Sequence, residues 1–382
     1  MQPAAAFGAA ISTHPTASFA VGEVVGAVLE AVGPSPDLAL VFVSGHSPET
    51  VSDIADAIRS LLTPRVVVGA TAAAVIGRDI EAADGPAISL WAGRVGEVEA
   101  VRLETHRSSH GTTLAGLPDH VGVGSRSLIV LSDPDTFPVD ALTRAINDRY
   151  PDLRLVGGVA SAAGAPGSNR LILGERVYAD GAVGVLLPEG LGEVAAVSQG
   201  CRPVGDAHIV TAASGNVIET LAMRPALERL RELVEQSDEE ERSRLSTGLH
   251  LGVAVDERIS EFGRGDFLIR AILGTEPDGG GLRIGDRAVV GTTVQFQVRD
   301  AATATEDLEL LLATVDADAA LVFSCSGRGE RFFNEPNHDA SRIAEAVSRG
   351  PVAGMFCAGE LGPVGGRNHV HGLTVSILFL FG

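Results

Sequence analysis

The chain has 382 residues, 45% of them hydrophobic but only 4% aromatic, which leaves room for two domains with cores built from aliphatic side chains. Its net charge of -20 repels phosphate backbones and anionic lipid, arguing against nucleic acid and membrane as partners. All 29 basic residues are arginine, so a lysine Schiff base and a P-loop lysine are excluded. No basic residue precedes Arg59, so no secretory signal is indicated, and no apolar run approaches the roughly 18–20 residues of a membrane span. Three cysteines (Cys201, Cys325 and Cys357) without a CxxC pair fit a reducing compartment, and the expected location is cytoplasmic.

In chain order, residues 7–13 read as a strand and 17–32 as a helix with an apolar face. A unit then occurs three times. Its first copy is an apolar strand (38–45), a helix (49–62), a strand ending in Val-Gly-Ala (65–73) and a further strand (87–93). The second copy repeats this at 127–133, 139–150, 153–161 and 181–188, and the third at 320–326, 338–348, 351–360 and 373–381. A glycine recurs in the third element of each copy, as Gly69, Gly157 and Gly354. That shared placement signals internal repetition, and a unit of this kind buries its helix on one sheet face. Between the second and third copies, 225–245 reads as one long helix, followed by strands at 249–257, 267–274, 281–289 and 292–300 and a helix at 303–316.

Two segments carry candidate chemistry. Residues 357–372 set Glu360, Arg367, Asn368, His369 and His371 among five glycines. They offer a carboxylate, a guanidinium fork, an amide and two imidazoles, a set suited to a small zwitterion or anion. The same composition also describes a solvated turn. Residues 323–331 follow an apolar strand, where sites in α/β sheets tend to lie; Arg328 there is placed to pair with a carboxylate, and Cys325 is either a thiol of some thiolate character or a small buried hydrophobe. Neither a zinc-type spacing nor GxSxG, GxGxxG or a P-loop is present, and no histidine stands in a haem-attachment motif.

These residues bring a family into view. FSCSGRGERFF (323–333) and PVAGMFCAGELGPVGGRNHVHGLT (351–374) resemble the FIST family, as do FLIRAILG (267–274), VQFQVRDA (294–301), NVIETLAMRPALE (216–228), LVFVSGH (40–46) and VVGATAAAVIG (67–77). The resemblance runs from about residue 37 onward. It implies an N-terminal and a C-terminal FIST half in a sensory module that binds a small ligand, with amino acids suggested as ligands for the family and a separate signalling protein as partner.

The expectation is therefore a mixed α/β (α+β) chain: a strand and helix at 1–36, a FIST N-terminal half at 37–218 and a FIST C-terminal half at 219–382. It would bind an amino acid or small carboxylate through Cys325, Arg328, Glu360, Arg367, Asn368, His369 and His371, with no metal and no required cofactor. A protein-recruitment module and a haem-based gas sensor are the alternatives, and a cysteine-dependent enzyme ranks last. If the third copy's strands are parallel, Arg328 and Asn368 share one site, and replacing either by alanine abolishes binding while leaving the unliganded melting point nearly unchanged.

Overall fold

In the computed structural model, which describes residues 5–382 apart from 109–110, 119–120, 122–125, 163–164, 260–261, 264, 277–279 and 349, the three repeated units share one arrangement. In the first, Leu38–Ser44 runs parallel to Val66–Thr71 across the helix Pro48–Leu62 and antiparallel to Ala87–Arg94. In the second, Arg126–Ser132 runs parallel to Leu153–Val159 across Val139–Arg149 and antiparallel to Ala182–Leu186. In the third, Ala319–Cys325 runs parallel to Val352–Cys357 across His338–Ala346 and antiparallel to Thr374–Phe381. The mixed α/β class is as the sequence pattern implies.

The recurrent glycine has a steric cause. Gly69, Gly157 and Gly354 lie opposite Val41, Val130 and Val322 on the neighbouring parallel strand. A Cβ at these positions would come within 2.3, 2.0 and 1.9 Å of the facing valine's carbonyl oxygen. Only glycine lets the backbones approach so closely.

Each unit also sends out a hairpin that the sequence reading did not anticipate: Val75–Gly77 with Ile80–Ala82, Leu171–Leu173 with Arg176–Tyr178, and Glu360–Val364 with Arg367–His371. None of them pairs with its own unit's third strand. The first unit's hairpin pairs with the third unit (Ile76 opposite Gly354), the second's with the first (Ile172 opposite Gly69) and the third's with the second (Leu361 opposite Gly157). The exchange is cyclic and yields three sheets of like order. The glycine-rich segment 357–372 is mostly a β-hairpin. Gly365 and Gly366, with φ of 59° and 76°, form its two-residue turn.

Alternation along the strands divides the cores. Leu38, Leu40 and Phe42 join Ile129, Leu131, Leu321 and Phe323 in one core shared by the three sheets, where Phe42 meets Phe323 edge to face at 6.0 Å. Ala39, Val41 and Val43 point the other way, against the helices Ala17–Val32 and Pro48–Leu62. With both faces covered, these strands read as continuous apolar runs.

The chain divides into two compact units: Met1–Val197 with Glu309–Val370 and Thr374–Gly382, and Ser198–Leu308 with His371–Leu373. The third repeated copy belongs with the first two in one compact unit. The second unit holds a closed antiparallel barrel of six strands, Cys201–Ser214, Thr293–Arg299, Leu249–Ala254, Phe267–Thr275, Leu282–Ile284 and Val217–Leu221, the last pairing back to the first. The helix expected over 225–245 is two, Ala226–Gln236 and Glu239–Gly248, divided where Asp238 caps the second by accepting the Glu241 N–H at 2.8 Å.

The steric argument has a direct check. Gly354→Ala should destabilise the protein by about 3 kcal/mol or more, measured by urea unfolding, because carbonyl and strand must both move. Gly22→Ala, in the helix Ala17–Val32 with no neighbour within 4 Å of a new Cβ, should instead be neutral or stabilising by up to about 1 kcal/mol. Equal effects at the two positions would refute the close-approach account.

Candidate functional site

The third unit departs from its siblings at the C-terminal ends of its parallel strands. By register, Glu360 occupies the place of Val75 and Leu171 in the other two hairpins: it lies opposite Gly158, as Val75 lies opposite Met355 and Leu171 opposite Ala70. A carboxylate therefore stands fully buried where the other copies bury an aliphatic side chain. Its Oε2 accepts from the Thr374 N–H at 3.2 Å and the Thr374 hydroxyl at 2.8 Å. Its Oε1 is buried with no hydrogen-bond partner. Burial pushes the Glu360 carboxyl up to about 8, against the opposing pull of Thr374 and the Arg328 guanidinium.

Arg328 ends the turn that follows Ala319–Cys325, its N–H donating to the Cys325 carbonyl at 2.8 Å. Its side chain, 1% exposed, grips Asp339 through Nε at 2.7 Å and Nη2 at 2.9 Å. Ser324 donates to Asp339 Oδ2 at 3.1 Å, and His338 Nδ1 lies 2.9 Å from Oδ1. Burial alone would raise the Asp339 carboxyl, but Arg328 and His338 hold it well below the ordinary range; the same pairing keeps Arg328 charged despite its burial. Phe333 closes the cluster, stacked on His338 at 3.4 Å with Arg328 over its ring at 5.0 Å. Arg328 Nη1 remains buried without a partner.

The first unit's hairpin contributes from across the exchange. Asn337, ahead of the helix His338–Ala346, has φ of 58° and makes no side-chain cap. Glu81 Oε1 accepts the Asp339 and Ala340 N–H groups at 2.9 and 3.1 Å instead, while its own N–H donates to Asn337 Oδ1 at 2.8 Å. Burial, then the nearby Asp339 charge, pushes Glu81 up to about 7.

The expected residues thus have distinct places. Arg328 and Glu360 come within electrostatic reach of each other and of Cys325, which is half-buried. Asn368 is built into the fold: Nδ2 donates to the Leu153 carbonyl at 2.8 Å and to Asn147 Oδ1 at 3.1 Å, and Oδ1 accepts the Leu155 N–H at 2.7 Å. Its amide is occupied in anchoring the hairpin to the second unit's strand. Arg367 is exposed, His369 is half-buried on the same strand, and His371 belongs to the second compact unit. Ser324, Asp339, His338, Glu81 and Thr374 were not singled out from the sequence. Among the described residues no His, Cys, Asp and Glu group is arranged to hold a metal. A surface cavity of about 570 Å³ lined by Glu97, Glu99, Arg126 and Glu189 includes none of the site residues.

Because Arg328 neutralises a buried carboxylate, Arg328→Ala should cost about 3–5 kcal/mol by leaving Asp339 unpaired, contrary to the mild effect expected from the sequence. Glu360 has a separate signature. Its folded pKa is raised, so the folded state binds more protons than the unfolded one between the ordinary value of 4.5 and about 8. Its contribution to stability is therefore fully present below that window and declines as pH rises through it. Glu360→Gln should stabilise the protein clearly near pH 9 and by almost nothing near pH 5, measured by urea unfolding. Parallel pH profiles for wild type and variant would show that Glu360 titrates normally.

Known protein families match the chain along most of its length. The FIST N domain matches residues 37–224 and the FIST C domain residues 226–363. An uncharacterized protein of Mycobacterium bovis is 39% identical over 378 residues, covering 97% of each chain. Another of Mycobacterium tuberculosis is 38% identical over 377 residues, covering 97% of this chain and 98% of its own. With both domains matched in order and relatives aligned along almost the whole length, the chain belongs to the FIST family.

Proposed function

We propose that the protein is a sensory, small-ligand-binding protein and that its ligand is an amino acid or small carboxylate held by Arg328, Glu360 and Cys325. FIST domains occur in sensory proteins of signal transduction. The observation that supports the reading is the pair of buried, unpartnered atoms, Arg328 Nη1 and Glu360 Oε1, on side chains within electrostatic reach of each other. Each such group costs about 1–3 kcal/mol when left unmatched. A ligand carboxylate suits the first and a ligand ammonium the second. Arg367, exposed on the returning strand of the same hairpin, is an outer contact in this reading.

The reading is tested by a thermal-shift screen of amino acids and small carboxylates. A ligand at 100 times its Kd stabilises the fold by about 2.7 kcal/mol. Glu360→Gln should remove the response to amino acids and keep that to simple carboxylates. An ammonium needs the ionised form of Glu360, so amino-acid affinity should rise about tenfold per pH unit up to about 8, with a proton released on binding near neutrality. Calorimetry in two buffers of different ionisation enthalpy reads that proton. A screen without a hit, or an unchanged amino-acid response in Glu360→Gln, would defeat the proposal.

A further inference from the structure

Cys325 and Cys357 face each other in register at the ends of neighbouring parallel strands. Such strands lie about 4.8 Å apart with facing residues on the same side of the sheet, inside the roughly 4.4–6.8 Å Cα separation a disulfide spans. One step beyond the last registered pairs of the other units, Val43 with Thr71 and Ser132 with Val159, stand Ser44 with Ala72 and Asp133 with Ala160. Two thiols therefore meet only in the third unit. Space for the inner sulfur comes from Gly158, where a Cβ would lie 2.2 Å from Cys357 Sγ.

The two sulfurs differ in setting. Cys325 is half-buried, its Sγ receives the Gly327 N–H at 3.4 Å, and the Arg328 charge acts on it. The Gly327 N–H and the Arg328 guanidinium stand beside this sulfur, and the Cys325 side chain hydrogen-bonds with the Glu360 carboxyl. Cys357 is fully buried, and burial pushes its thiol well up, so it stays protonated. The third cysteine, Cys201, is buried in the other compact unit.

We infer that Cys325 and Cys357 are a peroxide-oxidised pair, Cys325 attacking and Cys357 resolving, that closes a disulfide between the two strands. The Cys325 sulfur attacks one oxygen of hydrogen peroxide, the O–O bond breaks, and the departing hydroxide takes the thiol proton and leaves as water. The Cys357 sulfur then attacks the resulting sulfenic acid; the S–O bond breaks, and hydroxide leaves as water with the Cys357 proton. Two thiols lose two electrons and one peroxide becomes two waters. The inference is independent of any amino-acid ligand.

The test treats the full-length protein with hydrogen peroxide and counts free thiols by alkylation and mass spectrometry. Thiols should fall from three to one. An unreduced tryptic digest should join the peptide ending at Arg328 to the one ending at Arg367, and dithiothreitol should separate them. Cys357→Ser should accumulate a dimedone-reactive sulfenic acid on Cys325, and Cys201→Ser should oxidise as the wild type does. If Cys357→Ser does not fold, Cys325→Ser decides, its two remaining thiols surviving the same treatment. Persistence of all three thiols, a bridge to Cys201, a disulfide between two chains, or equal thiol loss in Cys325→Ser would overturn the inference.

Discussion

No unit of the first compact body completes its own sheet. Each parallel strand pair ends at a third strand whose free side must be paired, and the hairpin that pairs it comes from another unit. A strand edge left open inside a core would strand a row of backbone donors and acceptors in apolar surroundings. The exchanged hairpins meet that demand. They also bring Glu81 to the first turn of the helix His338–Ala346, where the local sequence supplies no cap, and let Asn368 anchor on Leu153 and Leu155.

Approximate threefold repetition makes the departures from it informative. An internal repeat is its own control: three positions share one backbone environment, so a chemical difference among them reflects the side chain rather than the fold. Glu360 against Val75 and Leu171 is such a difference, and Cys325 with Cys357 against Ser44 with Ala72 is another. Both fall where the third unit's parallel strands end and its hairpin begins, in two different sheets, beside the buried Arg328–Asp339 pair. A buried ion pair is weak evidence for stability in itself, since desolvation offsets most of the attraction. Its placement among groups that are buried and incompletely matched gives it functional weight.

Much of this architecture was legible in the residues. Continuous apolar runs such as LALVFVS and ALVFSC marked strands, and the recurring glycine marked the internal repetition, but not the close approach at Val41, Val130 and Val322 that requires it. The helix Ala17–Val32 has the bounds its apolar face implied. The short hairpins were not legible, because strands of three residues are too brief to show a period-two pattern, and their partners lie in other copies. The same non-locality hid the roles of Asp339 and Glu81. A solvated charge and a cap reaching across more than two hundred residues look alike in sequence. The anchoring role of Asn368 was hidden for a related reason: an amide replacing missing backbone pairing has the composition of a ligand contact.

The hairpin exchange also bears on how the chain acquires its structure. The strand Leu153–Val159 emerges early in synthesis, yet the strand that covers it, Glu360–Val364, emerges some two hundred residues later. The strand Val75–Gly77 must likewise wait for Val352–Cys357. Contacts of such sequence separation close slowly, and an edge left uncovered meanwhile is a template for pairing with other chains. The nascent N-terminal half therefore spends its synthesis with an adhesive border, and only the arrival of the third copy seals the ring.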